Sequence, residues 1–160
     1  MSPPAATTSD LVDFKFPLIG FTPDLEIWGF PDRPSLTTCG VQTLRKSMPL
    51  GMDLIDADGA QFRVVALHNK GRADPLLPWL LKAMLSGRQY RIEYVIAPLE
   101  KMSLEDLKAR IGKSLEAFPS DYCLEDERDT VLLPLLAAVQ AADGVAELFT
   151  LLGLDSFESY

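Results

Sequence analysis

From Val12 onward the apolar positions of the chain alternate. Val12, Phe14, Phe16 and Leu18 are spaced by two, which predicts a strand, and Pro17 restricts it to a sheet edge. A second short strand is predicted at residues 25–28, with Gly29, Pro31 and Pro34 breaking the chain after it. The period then turns helical. Val41, Leu44 and Met48 share one face, so a helix is predicted over 36–47, capped by Ser35, Thr37 or Thr38 and ended by Pro49. Residues 52–57 and 60–67 flank Asp58-Gly59, the pair that suits a two-residue type I′ turn. That turn sets Ala57 opposite Ala60, Ile55 opposite Phe62 and Asp53 opposite Val64. Ile55, Phe62, Val64 and Ala66 then share the core face.

The second half is patterned more strongly. Asp74 and Pro75 open a helix that Gly87 closes, and between them Leu76, Leu77, Trp79, Leu80, Leu81, Met84 and Leu85 leave little polar surface. This helix belongs in the core, or it packs on the sheet with one side and on a partner with the other. In the second case Leu77, Trp79, Leu81 and Met84 are the candidate interface, and a homodimer is one expected outcome. Gln89 to Ala97 is a strand with Tyr90, Ile92, Tyr94 and Ile96 on one face. Residues 104–118 form a helix capped by Ser103, with Met102 placed to staple onto Leu107 and with Leu104, Leu107, Ile111, Leu115 and Phe118 in one stripe. An acidic connection over 119–129 leads to two apolar helices near 131–142 and 144–152. The expected fold is α+β: an antiparallel sheet of four to five strands packed by four to five helices. Residues 1–10, rich in Pro, Ala, Thr and Ser, read as a flexible tail, and 11–160 as a single domain.

Composition adds one thing the pattern does not show. With 160 residues, 48% of them hydrophobic, a single domain can bury a core. The net charge of −8 is unevenly spread: residues 1–115 carry 14 bases and 13 acids, whereas residues 116–160 carry one base, Arg128, and ten acids. Asp121, Glu125, Asp126, Glu127 and Asp129 are the densest cluster. Such a field repels nucleic acid and anionic membrane and speeds encounter with a basic protein. These five carboxylates are the candidate binding residues. No apolar run approaches the roughly 18 residues of a membrane span. The N-terminal residues have neither the basic nor the apolar region of a secretory signal, so a cytoplasmic location is expected.

Catalytic signatures are sparse. There is no phosphate loop, dinucleotide glycine pattern, His-Glu-x-x-His or Gly-x-Ser-x-Gly. Two cysteines and one histidine make neither a disulfide framework nor a zinc site. Asp53, Asp56, Asp58 and Gly59 do not have calcium-loop spacing, because Gly59 at the sixth position puts Leu54 first and Val65 last. No metal and no cofactor are expected. One alternative site remains. Cys39 lies near a predicted helix N-terminus, His68 is the sole imidazole, and Lys70 and Arg72 flank Gly71 as a phosphate-binding loop would. Together they would make a small enzyme or an anionic-ligand domain.

The order of features also resembles a known class. Trp28-Gly29 at a strand end is followed by Leu36-Thr37-Thr38-Cys39, a hairpin from Gly51 to Phe62, and the strand Tyr90-Arg91-Ile92-Glu93-Tyr94. The helix start Ser103-Leu104-Glu105-Asp106-Leu107-Lys108 and Leu-rich helices close the series. Over roughly residues 25–152 this resembles the small single-domain bacterial immunity proteins of polymorphic toxin systems. The resemblance implies neutralisation of a toxin by binding, often through an acidic surface, with no catalysis. The expected function is therefore a non-enzymatic, immunity- or adaptor-like module that docks a basic partner.

Overall fold

The computed structural model describes residues 5–72 and 89–154. The helix expected over 74–87 lies outside the described residues. Among the described residues seven strands form one antiparallel sheet: β1 (Thr7–Thr8), β2 (Leu18–Phe21), β3 (Ile27–Phe30), β4 (Thr38–Gly40), β5 (Asp53–Ile55), β6 (Gln61–Arg72) and β7 (Gln89–Pro98). Their order is β1-β7-β6-β5-β2-β3. β4 shares the outer edge of β7 with β1, pairing Thr38 with Arg91 where β1 pairs Thr7 with Ile96. The α-helices among the described residues are α1 (Arg33–Leu36), α2 (Val41–Arg45), α3 (Leu104–Ala117), α4 (Leu133–Ala141) and α5 (Val145–Leu151). The α+β class and the antiparallel sheet are as the pattern predicts. The strand count is higher because β1 and β4, two and three residues long, are too short to carry a period.

β1 lies within the segment read as a tail. Thr7 and Thr8 pair with β7, Ser9 is buried, and its Oγ accepts a bond from the Tyr94 N–H at 3.0 Å. Arg33 fixes the next segment by donating to the Ser9 and Val12 carbonyls at 3.0 and 2.6 Å. Those bonds replace a ladder, so of the alternating run from Val12 only Leu18 enters a strand. The predicted 36–47 helix is likewise divided. Asp32 and Ser35 cap α1 reciprocally, and the open edge of β7 recruits Thr38–Gly40 as β4 before α2 begins.

The central hairpin differs in register. Asp56 is buried; its Oδ1 accepts from the N–H groups of Asp58 and Ala60 at 2.9 and 3.0 Å, and its Oδ2 from that of Lys15 at 3.3 Å. The Asp56 N–H reaches the Ala60 carbonyl, and the Gly59 N–H reaches that of Asp56. The loop is therefore Ala57-Asp58-Gly59, a type I turn closed by Gly59 at φ +84°. It is not the two-residue turn expected from Asp58-Gly59. Leu54 now opposes Phe62, Ile55 opposes Gln61 and Asp53 opposes Arg63. Ile55 and Phe62 thus lie on opposite faces, and the expected shared face does not exist. Thr22 and Glu26 frame a loop of the same kind, with Leu25 at φ +71°.

At β2 and β5 both faces of the sheet are buried, which removes there the clean alternation that would have marked the register. On one face Ile19, Phe21 and Ile55 meet Leu107, Ile111 and Leu115 of α3 and Leu148 and Phe149 of α5. On the other, Leu18, Phe30, Leu54, Val64, Ile92 and Tyr94 pack with Phe14, Leu36, Cys39 and Met52. α3 forms as its sequence predicts. The Ser103 Oγ accepts from the Asp106 N–H at 3.1 Å, and each buried leucine of its stripe contributes about 2 kcal/mol by leaving water. Lys108, on the same helix, buries its chain and donates from Nζ to the Gln140 carbonyl at 2.8 Å. It thereby satisfies an orphan carbonyl at the end of α4, where the helix dipole favours a cation.

Candidate protein-docking surface

The acidic connection folds as two 3₁₀ turns, Pro119–Asp121 and Glu125–Glu127, and a π-helical turn, Arg128–Leu132, that runs into α4. Pro119 starts the first turn, and the Cys123 thiol hydrogen-bonds back to its carbonyl. The five candidate carboxylates divide into two kinds. Glu127 is half-buried, and its Oε2 accepts from the Leu124 N–H at 3.2 Å, so it closes its own turn. Asp121, Glu125, Asp126 and Asp129 are exposed, and among the described residues no hydrogen bond or ion pair holds their side chains. Arg128 is the sole base from residue 116 to 154.

Beside this segment lies a hollow of about 640 Å³, lined by Asp121, Tyr122, Val131, Leu135, Leu151 and Leu152 among others. Its floor is apolar because α4 and α5 turn leucines toward Tyr122. The Tyr122 hydroxyl is pushed up to about 12, first by burial and then by the charges of Asp121 and Glu26. Glu26, on the β2–β3 hairpin, adds to the negative charge around Tyr122. Neither Tyr122 nor Glu26 was singled out by the sequence. Tyr122 is the sole aromatic inside the acidic run, a signal that was there to use, whereas Glu26 arrives from a distant hairpin.

The alternative site is not assembled. Cys39 is buried in the same apolar cluster as Tyr94, and burial pushes its thiol up to about 11, away from the thiolate a nucleophile needs. His68 is exposed and pairs across the ladder with Glu93, the neighbour of Tyr94. Successive strand residues face opposite ways, so Cys39 and His68 lie on opposite faces of the sheet. Lys70 is held by Glu93 at 3.2 Å. Arg72 ends β6, and Leu77, Trp79, Leu81 and Met84 lie outside the described residues.

The strongest ionic cluster had no sequence signal. Asp53 is buried and receives two bonds from Arg63, at 2.8 and 3.1 Å, and one from Arg110 at 2.9 Å. The Arg110 guanidinium also lies 4.5 Å from the centre of the Phe21 ring. Burial alone would raise the Asp53 carboxyl, but the bonds from Arg63 and Arg110 outweigh it and hold the group below the ordinary carboxylate value. With both guanidiniums turned onto Asp53, the cluster fastens α3 to the sheet.

Among the described residues no three His, Cys, Asp or Glu side chains converge as metal ligands. No described helix is long and apolar enough to cross a membrane. Compared with protein-family models, with curated proteins and with solved structures, the chain finds no match.

Proposed function

We propose that this chain is a non-enzymatic protein-binding module, immunity- or adaptor-like, that acts in the cytoplasm and docks a basic partner through the acidic surface of its C-terminal third. One observation carries the reading. Among the described residues Asp121, Glu125, Asp126 and Asp129 are exposed with no internal partner, and Asp121 lines an apolar hollow. Like charges held this close repel one another, so their concentration costs stability unless something outside the molecule offsets it. An apolar depression with a charged rim is also the anatomy of a protein interface.

The test starts from a partner captured by pull-down. Its association rate is measured at low and high salt for the wild type and for the variant Glu125→Gln, Asp126→Asn, Asp129→Asn. Glu127 is left intact because it closes its turn. Electrostatic steering predicts a wild-type rate that falls roughly tenfold or more with salt, and a variant rate that is lower at low salt and nearly flat. A rate indifferent to both would make the acidic segment a solvated loop and end this reading.

A further inference from the structure

Among the described residues the sheet ends in β3, and no strand pairs with its outer edge. The Thr22 N–H bonds to the Glu26 carbonyl at 3.0 Å, which fixes the alternation of the β2–β3 ladder. Trp28 and Phe30, opposite Gly20 and Leu18, then take the hydrogen-bonded positions. Ile27 and Gly29 direct their N–H and carbonyl groups away from β2. Among the described residues no hydrogen bond reaches those groups. The face beneath the edge is closed by Phe149 and Leu154, which lie where a side chain at residue 29 would go, so glycine is required there.

Each side of this edge has a hollow. On one side lies the 640 Å³ hollow already described, whose wall at Gly153 precedes Leu154 and whose Tyr122 feels the charge of Glu26. On the other, about 300 Å³ is bounded by Thr22, Asp24, Glu26, Trp28, Lys46 and Met48. Asp24, Glu26 and Asp121 outnumber Lys46 on these rims, so the field at the edge is negative.

We infer that β3 is a strand-addition site: an extended segment of a partner, with alternating basic and apolar side chains, pairs with Ile27 and Gly29 as an eighth strand. Main-chain bonds give such a complex its affinity, and its alternate side chains fall into hollows on the two faces. Basic side chains meet Glu26 and Asp24 on one face, and apolar ones the leucine-lined floor on the other. The inference rests on the proposed function only for the sign of the partner's charge; the open edge stands without it.

Amide hydrogen exchange on the whole chain is the first test. In the free protein the Ile27 and Gly29 amides should exchange within about tenfold of the unprotected rate, while those of Gly20 and Trp28 are slowed by about 100-fold or more. Protection of Ile27 and Gly29 in the free chain would show the edge covered and overturn the inference. The second test adds a short capped peptide alternating lysine with valine. Ile27 and Gly29 should become protected, and a glutamate–valine peptide should leave them unchanged. Equal effects from the two peptides, or no effect from either, overturn it. Ile27→Pro removes an outward N–H without a ladder bond and should abolish peptide binding. Should that variant not fold, the lysine–valine peptide N-methylated on its pairing face makes the same test on the wild type. A partner whose rate still depends on salt and on Glu125, Asp126 and Asp129 but ignores Ile27→Pro would end the strand-addition inference and leave the proposed function standing.

Discussion

Asp53 shows how one residue's chemistry can be hidden in the sequence. Its two arginine partners sit ten and 57 residues away, on β6 and α3. Nothing local distinguishes it from the exposed Asp58 nearby, and only the pairing of β5 with β6 brings Arg63 opposite it. The cluster has a pH signature. The folded value of Asp53 lies below its unfolded value near 3.8. A depressed carboxyl contributes stability that is present above the unfolded value and is lost as pH falls through the folded one. Wild-type stability should therefore fall steeply below about pH 4, and Asp53→Asn should flatten that part of the curve. At neutral pH the variant should lose about 1.5–3 kcal/mol, the usual worth of bonds to a charged group. Denaturant unfolding across the acid range checks both. Parallel curves for the two proteins would show that Asp53 does not titrate with folding.

At the scale of elements, legibility follows where the determinants lie. α3 carries its own cap at Ser103 and its own stripe at Leu107, Ile111 and Leu115, so its sequence alone suffices. The β5–β6 hairpin does not, because its register is held by a buried side chain and by the distant Lys15 N–H. With both faces of β5 buried, that strand carries no alternation of its own to mark the register. β4 was missed for a related reason: Thr38–Gly40 becomes a strand only because β7 offers it an edge. The hairpin makes a testable pair. Gly59 holds φ +84°, and a Cβ there would come within 2.7 Å of the Met102 carbonyl. Gly59→Ala should lose about 1–3 kcal/mol from that backbone strain alone. Asp56→Ala strips the acceptor from three N–H groups and should lose at least as much. Urea unfolding of both variants checks this. A wild-type midpoint for Asp56→Ala would mean that the loop is fixed by the Gly59 backbone rather than by the carboxylate.

For the molecule as a whole, the charge asymmetry was legible and its division of labour was not. The sequence places five acids together. Folding spends Glu127 on a turn, leaves four carboxylates outward, and adds Glu26 from the far end of the sheet. The alternative chemistry was lost at this same scale, since no feature of the sequence tells that Cys39 and His68 fall on opposite faces. The whole-molecule field also makes a prediction that needs no partner. Repulsion among exposed carboxylates acts over the Debye length, which is about 30 Å at 0.01 M salt and about 8 Å at 0.15 M. Added salt should therefore raise the thermal midpoint of the wild type. The Glu125→Gln, Asp126→Asn, Asp129→Asn variant should be the more stable protein at low salt, and the difference should shrink as salt rises. The buried Asp53 bonds are screened far less, so an Asp53→Asn difference should persist at high salt. Calorimetry of the three proteins at two salt concentrations separates the terms. A triple variant less stable than wild type at low salt would show that these carboxylates serve the fold. A surface that serves the fold has no need of a partner to account for its charge.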